Sequence, residues 1–546
     1  MLKSPKLKKS NILLVNITRL GDMLQATPTI CGMKMENPEA RITVVVEKQF
    51  KDICHSLPYI DEVVALDLSF IARSITAEGE ALVDAYEYVS SVVEDLRGRN
   101  FDYCLNMSSS GYTAMLLKLI DVPHQGGWSA DEEGYRIIQS DWAKLFASSV
   151  YHQNRQYTAL NLVDVFRCSA DVEQHPLSLK MNVSENDRAF AQKLLAEAGF
   201  TDSGPIITVQ SGASQAKRQW DPRRFIALIQ DLRSRINARV VLIGTKKELN
   251  IVDPIKAAFA HDTNVFVAAG KTNVAQVGAV IQASKILVTG DTGPMHIAVA
   301  VGTPVVSMFL ASAFGFETGP YSEGNIVIQP VIGCGPCNPN KVCSGLECHD
   351  TIEPKLVSWL VEQRLQSDRF TVPDQIADPA QALVYRTTFD SCGFYDMERL
   401  NSGSFEHLRP YRDAYRKMWL SDVGGQNIPI EPKSTLRTLN SNLDGIDQVI
   451  QKAQAGTKEI SRLESLILNP SAAASELSAC NTALSEIDRN IEQIGFHYGY
   501  LGPLTRMFIF AKENISGTDP LSLASQMKRV YQDLVRRSEK LSAYFM

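Results

Sequence analysis

VTGDTGPMHIAVAVGTPVVSMF, Val288 to Phe309, decides the fold of this chain. The apolar run Lys285-Ile-Leu-Val-Thr289 predicts a buried parallel strand. It stops at the polar turn Gly290-Asp-Thr-Gly-Pro294. A helix opens at Met295-His-Ile-Ala-Val-Ala, and Pro304-Val-Val-Ser-Met-Phe309 reads as a second strand. Strand, Gly-rich turn, helix and strand make a βαβ unit. The turn at the first strand's carboxyl end offers backbone N–H groups and a helix N-terminus to an anion, usually a phosphate. The plainer role for Asp291 and Thr292 is helix capping.

A second such turn lies near the start. Asn11-Ile-Leu-Leu-Val15 is a short apolar strand, Thr18-Arg-Leu-Gly-Asp22 a turn, and Met23-Leu-Gln-Ala-Thr-Pro-Thr-Ile30 leads into a helix. An Asp at the mouth of a strand–helix turn is placed to act as a general base, in the region where open α/β sheets bind ligands. It also suits an N-cap. Two turns of this kind, far apart in the chain, predict two α/β domains facing each other across a cleft.

Apolar runs extend the pattern. Strands are expected at Ile12–Val15, Ile42–Val46, Val63–Leu66 and Tyr103–Asn106 in a domain spanning 11–180. A helix from Leu82 to Leu96 follows an insertion at Ser69–Glu80. In a second domain, 181–366, strands are expected at Ile206–Val209, Val240–Ile243, Val265–Val267, Ile286–Thr289 and Val305–Phe309, with a helix at Arg223–Ile236. Alternating strand and helix implies parallel sheets. Ile352–Gln366 reads as a helix crossing back toward the first domain. Residues 367–435 mix turns and aromatic residues and read as a linker region. From Leu436 to Met546 the chain reads as helical. Leu443, Ile446, Ile450, Ala453 and Ile460 keep heptad spacing, as do Leu477, Cys480, Leu484, Ile487, Ile491 and Ile494, with Asn469-Pro470 between the runs; Leu523 to Leu541 supplies a third stripe. These stripes predict a three-helix bundle whose apolar faces are core rather than a cofactor site.

The two turns carry a family resemblance. TRLGDMLQATPTI and TGDTGPMHIAVAVGTPVVSMF resemble the two signatures of glycosyltransferase family 9, the ADP-heptose:lipopolysaccharide heptosyltransferases. Ala40–Asp67, Phe101–Trp128 and Ile207–Ile229 resemble intervening segments of that family in the same order, so the resemblance covers roughly residues 11–365. It implies a GT-B fold, two Rossmann-like domains, here with a C-terminal α-helical domain added. It implies an inverting glycosyltransferase that moves a sugar, heptose from ADP-heptose being the family's usual one, to a hydroxyl of a cell-surface glycan or a protein. Asp22 matches the family's catalytic base. Lys217, in Ala213-Ser-Gln-Ala-Lys217-Arg-Gln-Trp220, resembles its phosphate-binding lysine, a role Arg218 could fill instead. Donor contacts are expected from Ser211, Lys217, Glu248, Asp291, Thr292, Gly293 and His296, and acceptor-side contacts from Thr18, Arg19 and Gly21. Glu248 stands where a carboxylate suits a ribose diol, and the alternative for His296 is a packed residue. No DxD pair stands at a strand end here, so no Mg²⁺ or other cofactor is expected for catalysis.

Composition narrows the classes. The chain has 546 residues, 45% apolar and 21% charged, which suits a globular protein of several domains. It has no apolar run of about 18 residues and no signal-peptide core, so no transmembrane helix is expected. A net charge of −6 argues against a nucleic-acid partner. The lysines of MLKSPKLKKS suit a solvated tail or peripheral contact with an anionic membrane. A cytoplasmic protein, at the inner face of the bacterial inner membrane, is expected. Six of ten cysteines are scattered; Cys334, Cys337, Cys343 and Cys348 form a C-x2-C-x5-C-x4-C knuckle. In a reduced compartment four thiolates suit structural Zn²⁺ or iron, and some relatives carry a similar knuckle. Two disulfides or an uncoupled loop are the alternatives, and His349 is a spare ligand. The heptads could also build a homo-oligomer. A different functional class remains open, a non-catalytic GT-B scaffold binding a partner through its helices. So does a GT-B nucleotide-sugar epimerase, which would need further carboxylates facing the sugar.

Overall fold

A computed structural model describes residues 9–77, 80–151, 153–157, 160–343, 345–402, 408–429 and 443–545. The lysine-rich start up to residue 8, part of the Ser69–Glu80 insertion and the expected helical onset at Leu436 lie outside the described residues. Contacts divide the chain into two compact units, Met1–Cys104 with Leu160–Phe405, and Leu105–Ala159 with Glu406–Met546.

The first sheet begins with β1 (Asn11–Asn16), β2 (Arg41–Glu47), β3 (Glu62–Leu66) and β4 (Tyr103–Asn106), in the order β3-β2-β1-β4. β1 and β2 pair in parallel from Asn11↔Arg41 to Asn16↔Val46. Their continuous Ile, Leu and Val runs are buried on both faces, as parallel strands under helices require. The division between the two units falls within β4. β5 (Gln125–Ala130) and β6 (Arg136–Ile138), an antiparallel pair with Trp128 opposite Ile138, belong to the second unit.

The second sheet contains β7 (Ile206–Gln210), β8 (Arg239–Ile243), β9 (Val265–Val267), β10 (Ile286–Gly290), β11 (Val305–Met308), β12 (Ile326–Pro330), β13 (Ala382–Phe389) and β14 (Tyr395–Arg399). Its order is β14-β13-β12-β11-β10-β7-β8-β9. β7 to β12 run parallel, and β13 and β14 add an antiparallel edge. The two α/β sheets and the helical C-terminal region meet the fold expectation. Residues 367–435 contribute β13 and β14 to the sheet and carry a helix, Arg409–Asp422.

Val209, Leu242, Val288, Val306 and Ile328 of this sheet share a buried core with Leu228 and Leu232 of the helix Pro222–Ile236 and with Val357 and Leu360 of the helix Pro354–Gln366. The latter helix therefore stays with the second sheet rather than crossing back to the first. Its stripe Leu356, Val357, Leu360 and Val361 completes that core, and Ser358 and Glu362 hydrogen-bond and pair with Asp231 and Arg235 of the helix beside it.

Among the described residues of the second unit, the C-terminal region holds four helices where three are expected: Leu443–Ile467, Ala474–His497, Gly502–Glu513 and Pro520–Phe545. Gly456 lets the first and last approach closely, since a Cβ there would lie 2.3 Å from the Tyr531 ring. The additional helix, Gly502–Glu513, packs on Asp141–Ser149, and the Ile138 N–H donates to Asn514 Oδ1 at 3.1 Å just past its end. The C-terminal helices thus share a core with residues 105–159 instead of standing as a separate bundle. Among the described residues no helix is long and apolar enough to cross a membrane.

Candidate active site

The turn after β1 is set by Asn16, whose buried side chain accepts from the N–H of Thr18 at 3.2 Å and from its hydroxyl. This Asx-type turn directs the chain into the helix Leu20–Gln25. Arg19 caps that helix in extended conformation, and Asp22 Oδ2 accepts the Arg19 N–H at 3.2 Å. The expected capping role of Asp22 is therefore present. It occupies one oxygen, while Asp22 Oδ1 takes no hydrogen bond among the described residues and remains able to accept a proton. Thr18 and Arg19 are exposed beside it.

The turn after β10 is built differently. Thr292 caps the helix Gly293–Val301 in extended conformation without a side-chain cap, and Pro294 occupies the first turn. The Thr292 and Thr289 hydroxyls bond each other at 2.9 Å. The first amides of a helix lack intrahelical acceptors, so a helix start of this kind is suited to an anion.

The two turns meet. A Cβ on Gly21 would lie 2.9 Å from His296 Cδ2, and a Cβ on Gly293 would lie 2.8 Å from Leu20 Cδ2. Gly21 leaves room for the His296 ring, and Gly293 lies against the tip of Leu20, so the two helix starts pack closely. Gly21, expected on the acceptor side, thus has a packing role against His296. His296 is buried, and burial pushes its pKa down to about 4 against the opposing charge of Asp22, so its ring is neutral near pH 7. Its Nδ1 has no partner among the described residues. The unfolded chain takes up a proton at this side chain below its ordinary value of 6.5, and the folded chain resists until about 4. Stability is accordingly expected to fall as pH drops through that interval, and His296→Asn, with no proton to gain, should lose less. Denaturant midpoints near neutral pH and near the lower end of the interval measure the difference.

Asp291 is held by Arg218 Nη1 at 3.1 Å and by the Thr318 hydroxyl at 3.3 Å, while Arg218 Nε donates to Ser312 Oγ at 2.9 Å. Lys217, the expected phosphate lysine, points elsewhere. Its ammonium donates to the carbonyls of Asn338, Pro339 and Lys341 at 2.9, 2.9 and 2.8 Å, inside the cysteine knuckle. The short 3₁₀ turn Ala216–Arg218 sends the two neighbouring cations in different directions. Arg218, not Lys217, is therefore the cation beside the Asp291 turn. Ser312 and Thr318 were not among the candidates, and no sequence signal distinguishes them from other loop hydroxyls.

On β7 the Gln210 side chain links two candidates. Its Oε1 accepts the Gly212 N–H at 2.7 Å, and its Nε2 donates to Glu248 Oε1 at 3.2 Å. Glu248 Oε2 accepts from the Thr245 N–H and hydroxyl at 2.7 and 2.9 Å. A Cβ on Gly212 would lie 1.8 Å from Glu248 Oε1, so only glycine admits this approach. Glu248 is thus anchored as a cap, with one acceptor position left on Oε1. Ser211 is buried, and its hydroxyl has no partner among the described residues, which suits a group awaiting a ligand.

The knuckle cysteines form no disulfide among the described residues: Cys334 and Cys343 are exposed, Cys337 is half-buried and Cys348 is buried. Burial, and then the neighbouring knuckle thiols, hold Cys334 and Cys348 above the ordinary thiol range. Among the described residues no three His, Cys, Asp or Glu side chains are placed to hold a metal ion. His349, the spare candidate, is instead committed to the backbone of Lys217 at 2.8 Å.

Residues 89–345 match the profile of glycosyltransferase family 9 (heptosyltransferase). The chain is 25% identical over 332 residues to lipopolysaccharide heptosyltransferase 2 of Salmonella typhimurium, covering 59% of this chain and 88% of that protein. It is 26% identical over 309 residues to lipopolysaccharide heptosyltransferase 3 of Escherichia coli, covering 56% and 84%. Its fold is similar to the crystal structure of a family 9 glycosyl transferase from Veillonella parvula, with a TM-score of 0.52 at 20% identity over 66% of this chain and 99% of that one.

Proposed function

Since the α/β part of this chain belongs to glycosyltransferase family 9, we propose that it transfers a heptose from ADP-heptose, with inversion, to a hydroxyl of a cell-surface glycan or a protein. The observation that carries this reading is the meeting of the two turns. Gly21 against His296 and Gly293 against Leu20 hold the Asp22 helix on the helix start that follows Asp291 and Thr292. That packing supports reading Asp22 as the base and the helix start at Gly293 as the anion site of one cleft.

In the proposed reaction the acceptor oxygen attacks the anomeric carbon as its proton passes to Asp22 Oδ1, and the bond from that carbon to the β-phosphate oxygen breaks. ADP leaves with the electron pair. Its charge is taken up by the first amides of the helix Gly293–Val301 and by Arg218, donors fixed before the reaction begins. One base with no covalent partner displaces the leaving group from the opposite face, which gives inversion. Ser211 and Glu248 are the proposed contacts for the nucleotide half. The site proposed for the reaction is the cytoplasm, at the inner face of the inner membrane.

Arg218→Ala is expected to weaken ADP binding by about 1.5–3 kcal/mol, roughly tenfold to a hundredfold, because a charge-assisted phosphate contact is lost. Isothermal titration of wild type and variant with ADP-heptose and with ADP measures this. Equal affinities would remove Arg218 from the donor site, and no affinity of the wild type for either ligand would overturn the reading.

A further inference from the structure

We propose that the cysteine loop Cys334–Cys348 is a positioning element of the donor site, fastened to it through Lys217, so that nucleotide binding and access to the loop's thiols are coupled. The inference rests on the reading of Arg218 as the cation for the donor's diphosphate.

The loop grips the segment that carries Arg218 from several directions. All three hydrogens of the Lys217 ammonium are engaged by the carbonyls of Asn338, Pro339 and Lys341. His349, one residue beyond Cys348, bonds the Lys217 carbonyl through Nε2 at 2.8 Å, and Trp220 Nε1 donates to the His349 carbonyl at 3.3 Å. Residues on both sides of Arg218 are thereby tied to the loop.

The groups that receive Arg218 are tied to it as well. The Cys337 N–H donates to the Ala311 carbonyl at 3.0 Å, and the Cys348 sulfur bonds the Ala311 backbone. Ala311 stands at φ 54, a left-handed conformation that an alanine holds only when its surroundings enforce it. The next residue, Ser312, accepts Arg218 Nε at 2.9 Å. A shift of the loop therefore moves the backbone before Arg218 and the hydroxyl that orients it. Nothing in donor chemistry requires an ammonium saturated by carbonyls 338, 339 and 341. A fastening does.

Cys334 and Cys343 are exposed and report the loop's state. The test uses the full-length chain with ADP as the probe. It follows iodoacetamide labelling of Cys334 and Cys343 by peptide mass spectrometry, with and without saturating ADP, and the ADP dissociation constant of wild type, Lys217→Met and Lys217→Arg. ADP is expected to slow labelling several-fold in wild type, because coupling between two sites is reciprocal. Lys217→Met is expected to speed labelling and to weaken ADP about tenfold, and Lys217→Arg, which can still donate to the carbonyls, to restore both.

Labelling of the wild type that ignores ADP overturns the proposal, and this arm decides even if Lys217→Met does not fold. Weaker ADP binding in Lys217→Met with unchanged labelling also overturns it, since Lys217 would then touch phosphate directly. Faster labelling with unchanged ADP affinity overturns it too, because the loop would be independent of the donor site. A wild-type chain that fails to bind ADP contradicts the functional reading itself, a result distinct from all of these.

Discussion

Asp22→Asn is expected to fold and to bind ADP as the wild type does while transfer falls by about 10²–10⁴. Asn is isosteric with Asp, and its carbonyl oxygen can still accept the Arg19 N–H that caps the helix Leu20–Gln25. The packing of Gly21 on His296 is untouched, so the two turns stay together. What is lost is the oxygen that accepts the acceptor's proton, and an amide cannot replace it near neutral pH. Turnover with ADP-heptose and ADP affinity, measured side by side, separate the outcomes. Near wild-type turnover would leave Asp22 with capping alone. Loss of both turnover and ADP binding would show that its role is structural.

The second large effect lies away from the chemistry. Asp164, in the helix Leu162–Ser169, is fully buried. Its carboxylate accepts Arg167 Nε at 2.8 Å, the Tyr321 hydroxyl at 2.8 Å and the Tyr395 N–H at 3.0 Å. Arg167 is itself buried, with its guanidinium over the Phe394 ring at 4.1 Å. Asp164→Ala would leave that cation unpaired and strand the Tyr395 N–H at the start of β14. Breaking a buried pair from one side costs about 3–5 kcal/mol, far more than the pair itself contributes. A comparable loss is expected in denaturant unfolding of the variant. Asp164→Asn, whose single carbonyl oxygen can replace only one of the two carboxylate oxygens that Tyr321 and Tyr395 use, should still lose less than Asp164→Ala. A variant as stable as wild type would mean that water reaches Arg167. β14 lies beyond the stretch that matches family 9, and through Tyr395 it anchors the helix Leu162–Ser169.

Much of this was legible in the chain, and the rest was hidden for identifiable reasons. The parallel strands stand out because each is a continuous apolar run between turn residues, as in Ile12–Val15 and Ile286–Thr289. β13 and β14 do not. At the sheet edge their burial alternates, and Thr387, Asp396 and Glu398 break the apolar run. The helix Gly502–Glu513 escaped because Gly499, Gly502 and Pro503 look like a loop, although Pro suits a helix's first turn. Asp22, Asp291, Thr292 and Gly293 could be placed on their turns from the sequence because an apolar strand, a polar turn and a helix start follow one another there. The choice between Lys217 and Arg218 could not be read, since adjacent side chains diverge by the local turn and their partners lie more than seventy residues away. Gly21 reads from the sequence as an acceptor-side turn residue; its close approach to His296, and that of Gly212 to Glu248, belong to tertiary packing.

The central claim is heptose transfer through Asp22. Its most direct test is mass spectrometry of surface glycans and proteins from three kinds of cells: those with the wild-type gene, those lacking it, and those carrying only Asp22→Asn. One heptose present in the first and missing from both others is the expected result. Identical masses in all three would contradict it.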